Sequence, residues 1–370
     1  MSDRAVLVAA GGTGGHLFPA EALSHALKKR GVPVELVSDS RALKYGADFP
    51  ARAVHAIPAA TPSGGSILGK ALAALTLARG TFVARGLLRR IKPLAVVGFG
   101  GYPTVPPLLA AAQLKIPSIL HEQNAVMGRA NRFLGAGATA IATGFPEISG
   151  LDPRVAAKTT HVGNPLRPMV IEAAGLPAPS TDDGLLRLLV TGGSQGARVM
   201  SDIVPPALAA LPAEARARLR VVQQARPEDC ERVIAVYREA GVAHEVAAFF
   251  TDLPMRIAAS HLVIGRAGAS TVSELAAIGR ACVLVPLPGS LDQDQAGNAA
   301  VLAKTGAADV VLQKDFTPAA LGALLLEALD RPEVLTERGQ AARTVGVLDA
   351  ADRLAALVIR VASIEVGTSP

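Results

Sequence analysis

The sequence predicts an α/β protein of two doubly wound domains, each with a parallel sheet. Short apolar runs alternate with helical patterns along most of the 370 residues, as expected for repeated βαβ units. A strand, a glycine turn and a helix follow one another near residue 10 and again near residue 190. The chain is also longer than one ordinary core accommodates, so two domains are expected.

In the first half, glycine turns separate the predicted strands from the helices. The first helix is closed by a glycine that suits a C-terminal cap. The predicted elements are a strand at Ala5–Ala10, a helix at Pro19–Arg30, and strands at Val34–Val37, Ala95–Val97 and Ile116–Leu120.

A stretch rich in proline and glycine, Pro153–Pro179, separates the halves, and Gly163-Asn164-Pro165 interrupts any regular element there. The pattern then restarts, which predicts domains at 1–162 and 163–344. The last stretch, Asp349–Val366, has helical spacing and could pack on either domain. The second half is predicted to contain strands at Leu185–Thr191, Leu219–Gln223, Val263–Ile264 and Cys282–Val285, and a helix at Val199–Leu211.

Composition limits the class of protein. Half of the residues are hydrophobic and 18% are charged, which indicates a globular chain. No apolar run reaches the ~18 residues of a membrane span, and the N-terminus has no signal-peptide pattern. Cys230 and Cys282 form neither a disulfide framework nor a metal spacing, which favours the reducing cytoplasm.

Positive charge is concentrated in the first half. Residues 1–162 contain 18 Lys and Arg against 8 Asp and Glu, a net charge of +10. The whole chain has a net charge of +6, so the remaining residues carry −4. No acidic residue lies between Asp48 and Glu122, where eight basic residues occur. The stretch is either a surface for anions or an ordinary solvated face, and charge alone does not separate these interpretations.

The first glycine turn, Gly11–His16, suits a phosphate, because a helix N-terminus follows it. The pattern Ala10-x-Gly12-x-x-Gly15 with Asp39 also fits a dinucleotide fingerprint, so a dehydrogenase is a rival. His16 is not explained by that fingerprint. It could act as a general base at the strand's carboxyl end, or it could simply hydrogen-bond within the loop.

Two further motifs lie in the first half. Gly98–Pro103 closes another strand, and two such turns in one domain suggest a diphosphate, although tight-turn geometry alone could explain the glycines. The polar run His121–Asn124 directly follows a predicted strand. We predict that its side chains hydrogen-bond to a sugar.

The second half repeats the phosphate-turn pattern. Gly192–Ala197 leads from a strand into a helix, and Ser194 adds a hydroxyl donor. Gly265–Glu274 leads into another helix, where the Glu274 carboxylate could accept hydrogen bonds from two ribose hydroxyls. Ser270 or Thr271 with Ser273 or Glu274 could instead form a capping box, and the two roles are compatible.

A short acidic pattern, Asp292-Gln293-Asp294-Gln295, resembles a metal-binding Asp-x-Asp. It follows a proline-containing loop in a chain whose phosphate turns are built from glycines. We therefore predict that it contacts a sugar, chiefly through Gln295, and that no metal is bound.

Together, these motifs resemble the MurG family of N-acetylglucosaminyltransferases. No single motif is decisive, but their order and spacing match the family from residue 11 to about 298. The resemblance implies the GT-B fold, with two Rossmann-like domains facing a cleft, and a C-terminal helix at about 345–370 that returns to the first domain. The motifs are Gly11–His16, Gly98–Pro103, His121–Asn124, Gly163–Arg167, Gly192–Ala197, Gly268–Glu274 and Asp292–Gln295.

The resemblance also implies site residues for the donor, UDP-N-acetylglucosamine. Thr251 departs from the family's branched apolar residue at a uracil contact, and Asp294 replaces a usual Gln without displacing Gln295. The donor contacts implied are Thr13, Gly14, Gly15, Asn124, Arg167, Ser194, Thr251, Ala269, Ser270, Thr271, Val272, Ser273, Glu274 and Gln295.

The implied reaction is an inverting transfer of N-acetylglucosamine to the 4-OH of MurNAc in undecaprenyl-diphosphate-MurNAc-pentapeptide (lipid I), a step of peptidoglycan and cell-wall synthesis. His16 is the candidate base, and the reaction uses no cofactor. The expected location is the cytoplasmic face of the inner membrane, held at an anionic surface through Ile67, Leu68, Leu72, Leu75 and Phe82. Other cell-wall synthesis proteins are possible partners, and nucleic acid is not. The rivals are another GT-B UDP-sugar transferase and a UDP-N-acetylglucosamine epimerase.

Overall fold

The computed structural model describes residues 4–11, 14–39, 49–59, 67–290 and 293–363, without the side chains of residues 67, 68 and 70. The chain divides into two compact units. Unit 1 comprises residues 1–167 and 348–370, and unit 2 comprises residues 168–347.

Unit 1 contains a seven-stranded parallel sheet of order β3-β2-β1-β4-β5-β6-β7. The strand order reverses between β1 and β4, so the loops after these two strands open side by side at the carboxyl edge, where α/β sheets bind ligands. The elements are β1 (Val6–Ala9), α1 (Gly14–Lys29), β2 (Val34–Ser38), β3 (Ala53–Ala56), α2 (Ile67–Ile91), β4 (Ala95–Gly98), α3 (Val105–Gln113), β5 (Ser118–Glu122), α4 (Arg129–Gly135), β6 (Ala140–Thr143) and β7 (Thr159–His161).

Unit 2 repeats the design with a six-stranded parallel sheet of order β10-β9-β8-β11-β12-β13. The order here reverses between β8 and β11, and Thr191 lies opposite Gly265 at the ends of these strands. The elements are α5 (Pro168–Ala174), β8 (Leu186–Thr191), α6 (Arg198–Ala209), α7 (Ala213–Ala217), β9 (Leu219–Gln224), α8 (Cys230–Glu239), β10 (Ala243–Ala247), α9 (Leu253–Ala258), β11 (Leu262–Gly265), α10 (Ala269–Ile278), β12 (Ala281–Leu284), α11 (Asp294–Lys304), β13 (Ala308–Val310), α12 (Pro318–Asp330) and α13 (Pro332–Arg343).

A terminal helix, α14 (Ala350–Val361), belongs to unit 1 and packs against α1. Its buried side chains, among them Leu354 and Val358, share a core with Leu23 and Leu27 of α1. An ion pair between Arg30 and Asp352, 2.7 Å long, accompanies the contact. Apolar burial at about 25 cal/mol per Å2 outweighs such an exposed pair, so the core contact fixes the position of the helix.

Element boundaries differ from the sequence prediction where polar residues begin or end an element. The first helix starts at Gly14, not at Pro19, because the unpaired first turn of a helix tolerates glycine; Pro19, the sixth residue, lies inside the helix. Strand β5 extends to Glu122, so His121 and Glu122 lie on the strand and not in the loop after it. Both residues are buried, at 0% and 2% exposure.

Helix α2 is amphipathic and carries the basic stretch. Contrary to the sequence prediction, its segment Ala71–Ile91 is long and apolar enough to cross a membrane by length and composition, and 33% of the window is buried in the protein. One face is built into unit 1: Ala84, Leu87 and Leu88 join the core, and a Cβ at Gly80 would lie 2.2 Å from the Pro58 carbonyl oxygen. The inward face therefore docks the helix on the protein.

Candidate active site

The switch point of unit 1, where the strand order reverses between β1 and β4, is built around the imidazole of His16. This residue is the third of α1, directly after the turn that ends β1. The second glycine turn approaches the ring: a Cβ at Gly101 would lie 3.3 Å from Nε2, and one at Gly100 would lie 3.6 Å from Cε1. A Cβ at Gly11 would lie 3.2 Å from Cδ2. Glycines at these positions thus let two backbone turns enclose one ring.

The environment of His16 favours the neutral form of its ring. Burial lowers the pKa of His16, and a hydrogen bond with the Phe99 backbone opposes that shift. The side-chain amide of Gln123 also reaches the ring, with Nε2 3.1 Å from Nδ1. A neutral imidazole at neutral pH can accept a proton, which is the state that a general base requires.

The two glycines that begin α1 have different surroundings. A Cβ at Gly14 would lie 3.0 Å from the Phe18 ring, whereas one at Gly15 would meet nothing within 4 Å. The protein's own packing therefore does not require glycine at position 15, which suits the close approach of a ligand. Thr13, the third predicted residue of this turn, lies outside the described residues.

The polar run after β5 plays a different part from the one predicted. The carboxylate of Glu122 accepts hydrogen bonds from the backbone N–H groups of Asn124 and Gly128, at 2.9 Å each, and from Asn131 at 2.8 Å. His121 lies beside Gly163, with Nε2 3.0 Å from its carbonyl oxygen, and burial lowers the pKa of His121 to about 4. The prediction of sugar contacts from this run is wrong for His121 and Glu122, which are buried and organise the loop. Asn124 alone of the run is half-buried.

Arg167 is the last residue of unit 1. Its guanidinium stacks on the ring of Phe18, with Cζ 4.1 Å from the ring centroid. Phe18 is on α1, two residues after His16, so Arg167 lies close to the start of that helix. A stacked guanidinium keeps its charge and its planar donors, so it can still bind phosphate.

Ser194 is exposed at the tip of the turn that follows β8. The turn is closed so tightly that a Cβ at Gly192 would lie 2.1 Å from the backbone N of Ala197. Gln224, which the sequence analysis did not single out, supports the turn: its Oε1 accepts from Thr191 at 3.0 Å and its Nε2 donates to the Gly193 carbonyl at 3.0 Å. The sequence signal for this role is that Gln224 ends β9, the strand that pairs with β8.

The second turn of unit 2 leads from β11 into α10. The helix begins at Ala269, with Gly268 as its N-cap, so the predicted capping box at Ser270 and Thr271 does not form. The first-turn N–H groups of a ten-residue helix therefore lie at the carboxyl edge of the sheet, next to the Ser194 turn. Glu274 follows one turn later and is 7% exposed.

Gln295 is the second residue of α11. Its Oε1 accepts from the backbone N–H of Leu287 at 3.0 Å and holds the segment after β12. Asp294 bonds the N–H of Gln295 at 2.8 Å, a helix-start role. Asp292, the other carboxylate of the predicted pattern, lies outside the described residues, among which no group of three His, Cys, Asp or Glu is placed to hold a metal ion.

Thr251 lies apart from these groups. It is exposed in the loop between β10 and α9, and β10 is the strand at one edge of the sheet. Strand β9 separates it from β8 and the Ser194 turn. The structure thus brings together Gly14, Gly15, His16 and Gln123 in unit 1. In unit 2 it brings together Ser194, the start of α10 and Gln295, with Thr251 at the margin.

A cavity of about 440 Å3 lies elsewhere in unit 2, at the amino ends of β11 and β12. Arg280 lines it, and burial beside Arg343 lowers the pKa of Arg280 to about 10. Its guanidinium donates to the carbonyls of Ala258 and Ile278, at the C-termini of α9 and α10. The arginine therefore caps helix ends, which explains its charge without a ligand.

Family models match both units. The Glycosyltransferase family 28 N-terminal domain matches residues 6–143, and the Glycosyltransferase family 28 C-terminal domain matches residues 187–354. The two matches include the glycine turns of both sheets.

The chain is also similar to named proteins over nearly its whole length. It is 58% identical over 360 residues to the UDP-N-acetylglucosamine--N-acetylmuramyl-(pentapeptide) pyrophosphoryl-undecaprenol N-acetylglucosamine transferase of Methylorubrum extorquens, covering 97% of this chain and 98% of that protein. It is 59% identical to the protein of the same name from a Methylobacterium species, covering 96% of each.

Among solved structures, the chain resembles MurG of Acinetobacter baumannii, with a TM-score of 0.77 and 30% identity over 96% of this chain and 99% of that one. A Listeria monocytogenes protein described as a UDP-N-acetylglucosamine 2-epimerase gives a TM-score of 0.68 at 15% identity, covering 100% of this chain and 99% of that one. At that identity the likeness is one of fold alone.

Proposed function

This chain belongs to glycosyltransferase family 28 and, within it, to the MurG family with the GT-B fold, and on that premise we propose how its residues perform the family's reaction. The enzyme transfers N-acetylglucosamine from UDP-N-acetylglucosamine to lipid I, forming the disaccharide lipid of peptidoglycan synthesis. The observation that carries the proposal is the position of the His16 imidazole, enclosed by two glycine turns at the switch point of unit 1.

His16 acts as the general base. The 4-OH of the acceptor MurNAc attacks the anomeric carbon of N-acetylglucosamine, and the hydroxyl proton passes to the imidazole. The bond from the anomeric carbon to UDP breaks on the opposite face, which inverts the configuration. Proton transfer of this kind contributes about 10²- to 10⁴-fold to the rate.

The departing UDP is stabilised by hydrogen-bond donors. The backbone N–H groups of the 192–196 turn, the Ser194 hydroxyl and the start of α10 are placed for a diphosphate at the carboxyl edge of unit 2. Arg167 adds a permanent positive charge. Fixed donors of this kind stabilise developing negative charge and need no rearrangement during the reaction.

The remaining residues recognise the nucleoside and the sugar. The Glu274 carboxylate accepts hydrogen bonds from the ribose hydroxyls, and Gln295 contacts the sugar from the start of α11, beside the segment at Leu287 that it holds. The predicted uracil contact at Thr251 stays a prediction, as do the contacts of Gly14, Gly15, Asn124 and the α10 residues Ala269 to Ser273.

An epimerase is the rival with a specific observation behind it, since it shares the fold. The two activities separate in a simple assay. We expect UDP to be released from UDP-N-acetylglucosamine only when a lipid I analogue is present, and we expect turnover in excess EDTA. Conversion of the donor to its 2-epimer without acceptor would overturn the transferase proposal.

We place the enzyme peripherally on the cytoplasmic face of the inner membrane, held by α2. The outward face of this helix exposes Leu72, Leu75 and Phe82 at 65%, 67% and 80%. Arg79, Arg89 and Arg90 are exposed on the same helix. Ile67 and Leu68, also predicted anchors, have side chains outside the described set. Apolar side chains flanked by arginines are typical of a helix lying in the plane of an anionic membrane surface.

Replacing Arg85, Arg89 and Arg90 together by glutamate should abolish binding to anionic vesicles. Each basic side chain near such a surface contributes about 1 kcal/mol, and salt screens it beyond about 8 Å. Co-sedimentation with anionic and neutral liposomes at two salt concentrations measures the effect.

The matched control replaces Arg220, Arg238 and Arg331 of unit 2, which are exposed, by glutamate and gives the same change in net charge. It should bind like the wild type. Equal loss in both variants, or equal binding of the wild type to both lipids, would contradict a docking surface on α2.

A further inference from the structure

Gln123 stands next to the proposed base but has no role in the reaction described so far. It directly follows β5 and is 5% exposed. Its side-chain Nε2 donates to the Phe99 carbonyl oxygen at 2.7 Å and lies 3.1 Å from Nδ1 of His16. A buried amide with two such neighbours is committed to the interior and is not available to a sugar.

The ring of His16 lies against this amide and the Phe99 carbonyl. Within the described residues, the side-chain amide of Gln123 contacts the ring, and it donates to the same carbonyl oxygen that the ring faces. The other close neighbours are the glycines of two turns, which have no side chains to hold it. Gln123 is itself anchored, because Asn164 donates from Nδ2 to its backbone carbonyl at 2.9 Å.

The Phe99 carbonyl is the acceptor that the amide and the ring share. A carbonyl oxygen can accept two hydrogen bonds, so it can take one from Gln123 and one from the Nδ1–H of His16. Assigning the ring proton to Nδ1 leaves the lone pair on Nε2, beside Gly101. This tautomer presents a basic nitrogen away from the Phe99 carbonyl.

We propose that Gln123 is a positioning residue that holds the Phe99 carbonyl and thereby fixes the orientation of the His16 imidazole for proton transfer. The role rests on the proposed function of His16 as the base. Gln123 does not touch the substrates in this account. It acts through the Phe99 carbonyl, which accepts one hydrogen bond from the Gln123 amide and one from the Nδ1–H of the ring, so that Nε2 is left to face the acceptor hydroxyl.

The nearby titratable groups Glu122 and His121 have hydrogen-bond partners other than the ring. The Glu122 carboxylate is engaged by Asn124, Gly128 and Asn131, and His121 is engaged by Gly163. Tyr102 follows the glycines of the second turn. Burial and the Phe99 backbone are the causes that act on the pKa of His16, and no charged group is among them. A carboxylate introduced at position 123 would therefore be a new charge beside the ring.

The test uses Gln123→Met and Gln123→Glu in the full-length enzyme. Gln123→Met keeps the volume but removes the amide, so we expect kcat to fall about 10- to 100-fold with the donor KM within about twofold, as for a misaligned catalytic group. Gln123→Glu places an acceptor at Nδ1 and should raise the pKa of His16 by about one unit or more, followed by NMR titration of the imidazole. The His16→Asn variant assigns the signal.

Matched controls are Gln113→Met and Gln113→Glu, at an exposed glutamine of the same unit. They should leave kcat and the His16 titration unchanged. An unmoved pKa of His16 in Gln123→Glu, or a wild-type kcat in Gln123→Met, would overturn the role of Gln123 while His16→Asn still loses activity. Full activity of His16→Asn would instead overturn the base role itself, and the Gln123 proposal would fall with it.

Discussion

Replacing His16 by alanine is expected to lower kcat by about 10²- to 10⁴-fold, because the acceptor hydroxyl loses the group that takes its proton. The donor KM should change little, since the ring contacts the acceptor hydroxyl and not UDP. Steady-state kinetics with a soluble lipid I analogue measure both constants. His25→Ala is the matched control, because His25 lies on the same helix but is exposed.

The pH dependence gives a second check on the same residue. A base works in its neutral form, which predominates above its pKa. Because burial lowers the pKa of His16 below its usual value near 6.5, activity should persist below pH 6.5 and then fall as the pH drops through the lowered pKa. A wild-type kcat in His16→Ala, with an unchanged acidic limb, would contradict the base role.

Replacing Glu274 by alanine should raise the donor KM by about 10- to 150-fold. A hydrogen bond to a charged group contributes about 1.5–3 kcal/mol, and the Glu274 carboxylate is the charged acceptor that the ribose hydroxyls would lose. Gln295→Ala should have a smaller effect, about 2- to 12-fold, because a neutral amide contributes about 0.5–1.5 kcal/mol.

Glu239→Ala, at an exposed glutamate of the same unit, is the matched control and should behave like the wild type. Glu274→Gln separates charge from shape, because it keeps the volume and loses the negative charge. An unchanged donor KM in both Glu274→Ala and Gln295→Ala would remove these residues from the donor site.

The sequence predicts the strands that end in glycine turns, because apolar runs and glycines mark both sides of each boundary. Strand β8 at Leu186–Thr191 and the turn at Gly192 are examples. Short edge strands were not predicted: β3 and β13 contain no fully buried residue and have no apolar run to signal them. The inward face of helix α2 includes small residues such as Gly80 and Ala84. A hydrophobicity pattern does not distinguish such a segment from a loop.

The site was only partly predictable for a related reason. Sequence identifies residues that follow strands, but not which side chains the fold then buries. His121 and Glu122 look like ligand contacts in the sequence, yet β5 carries them into the core, where they hold the loop that ends at Gly128. Gln224 does not look like a site residue in the sequence, because its contact with the Gly192 turn depends on the pairing of β9 with β8.

The identity and linkage of the product test the central claim most directly. Labelled UDP-N-acetylglucosamine, an α-linked donor, is incubated with a lipid I analogue, and the extracted lipid is digested with β- and α-specific N-acetylglucosaminidases. Inverting transfer predicts that the label enters the lipid and is released only by the β-specific enzyme. Label that remains in the nucleotide sugar, or that only the α-specific enzyme releases, would contradict the account.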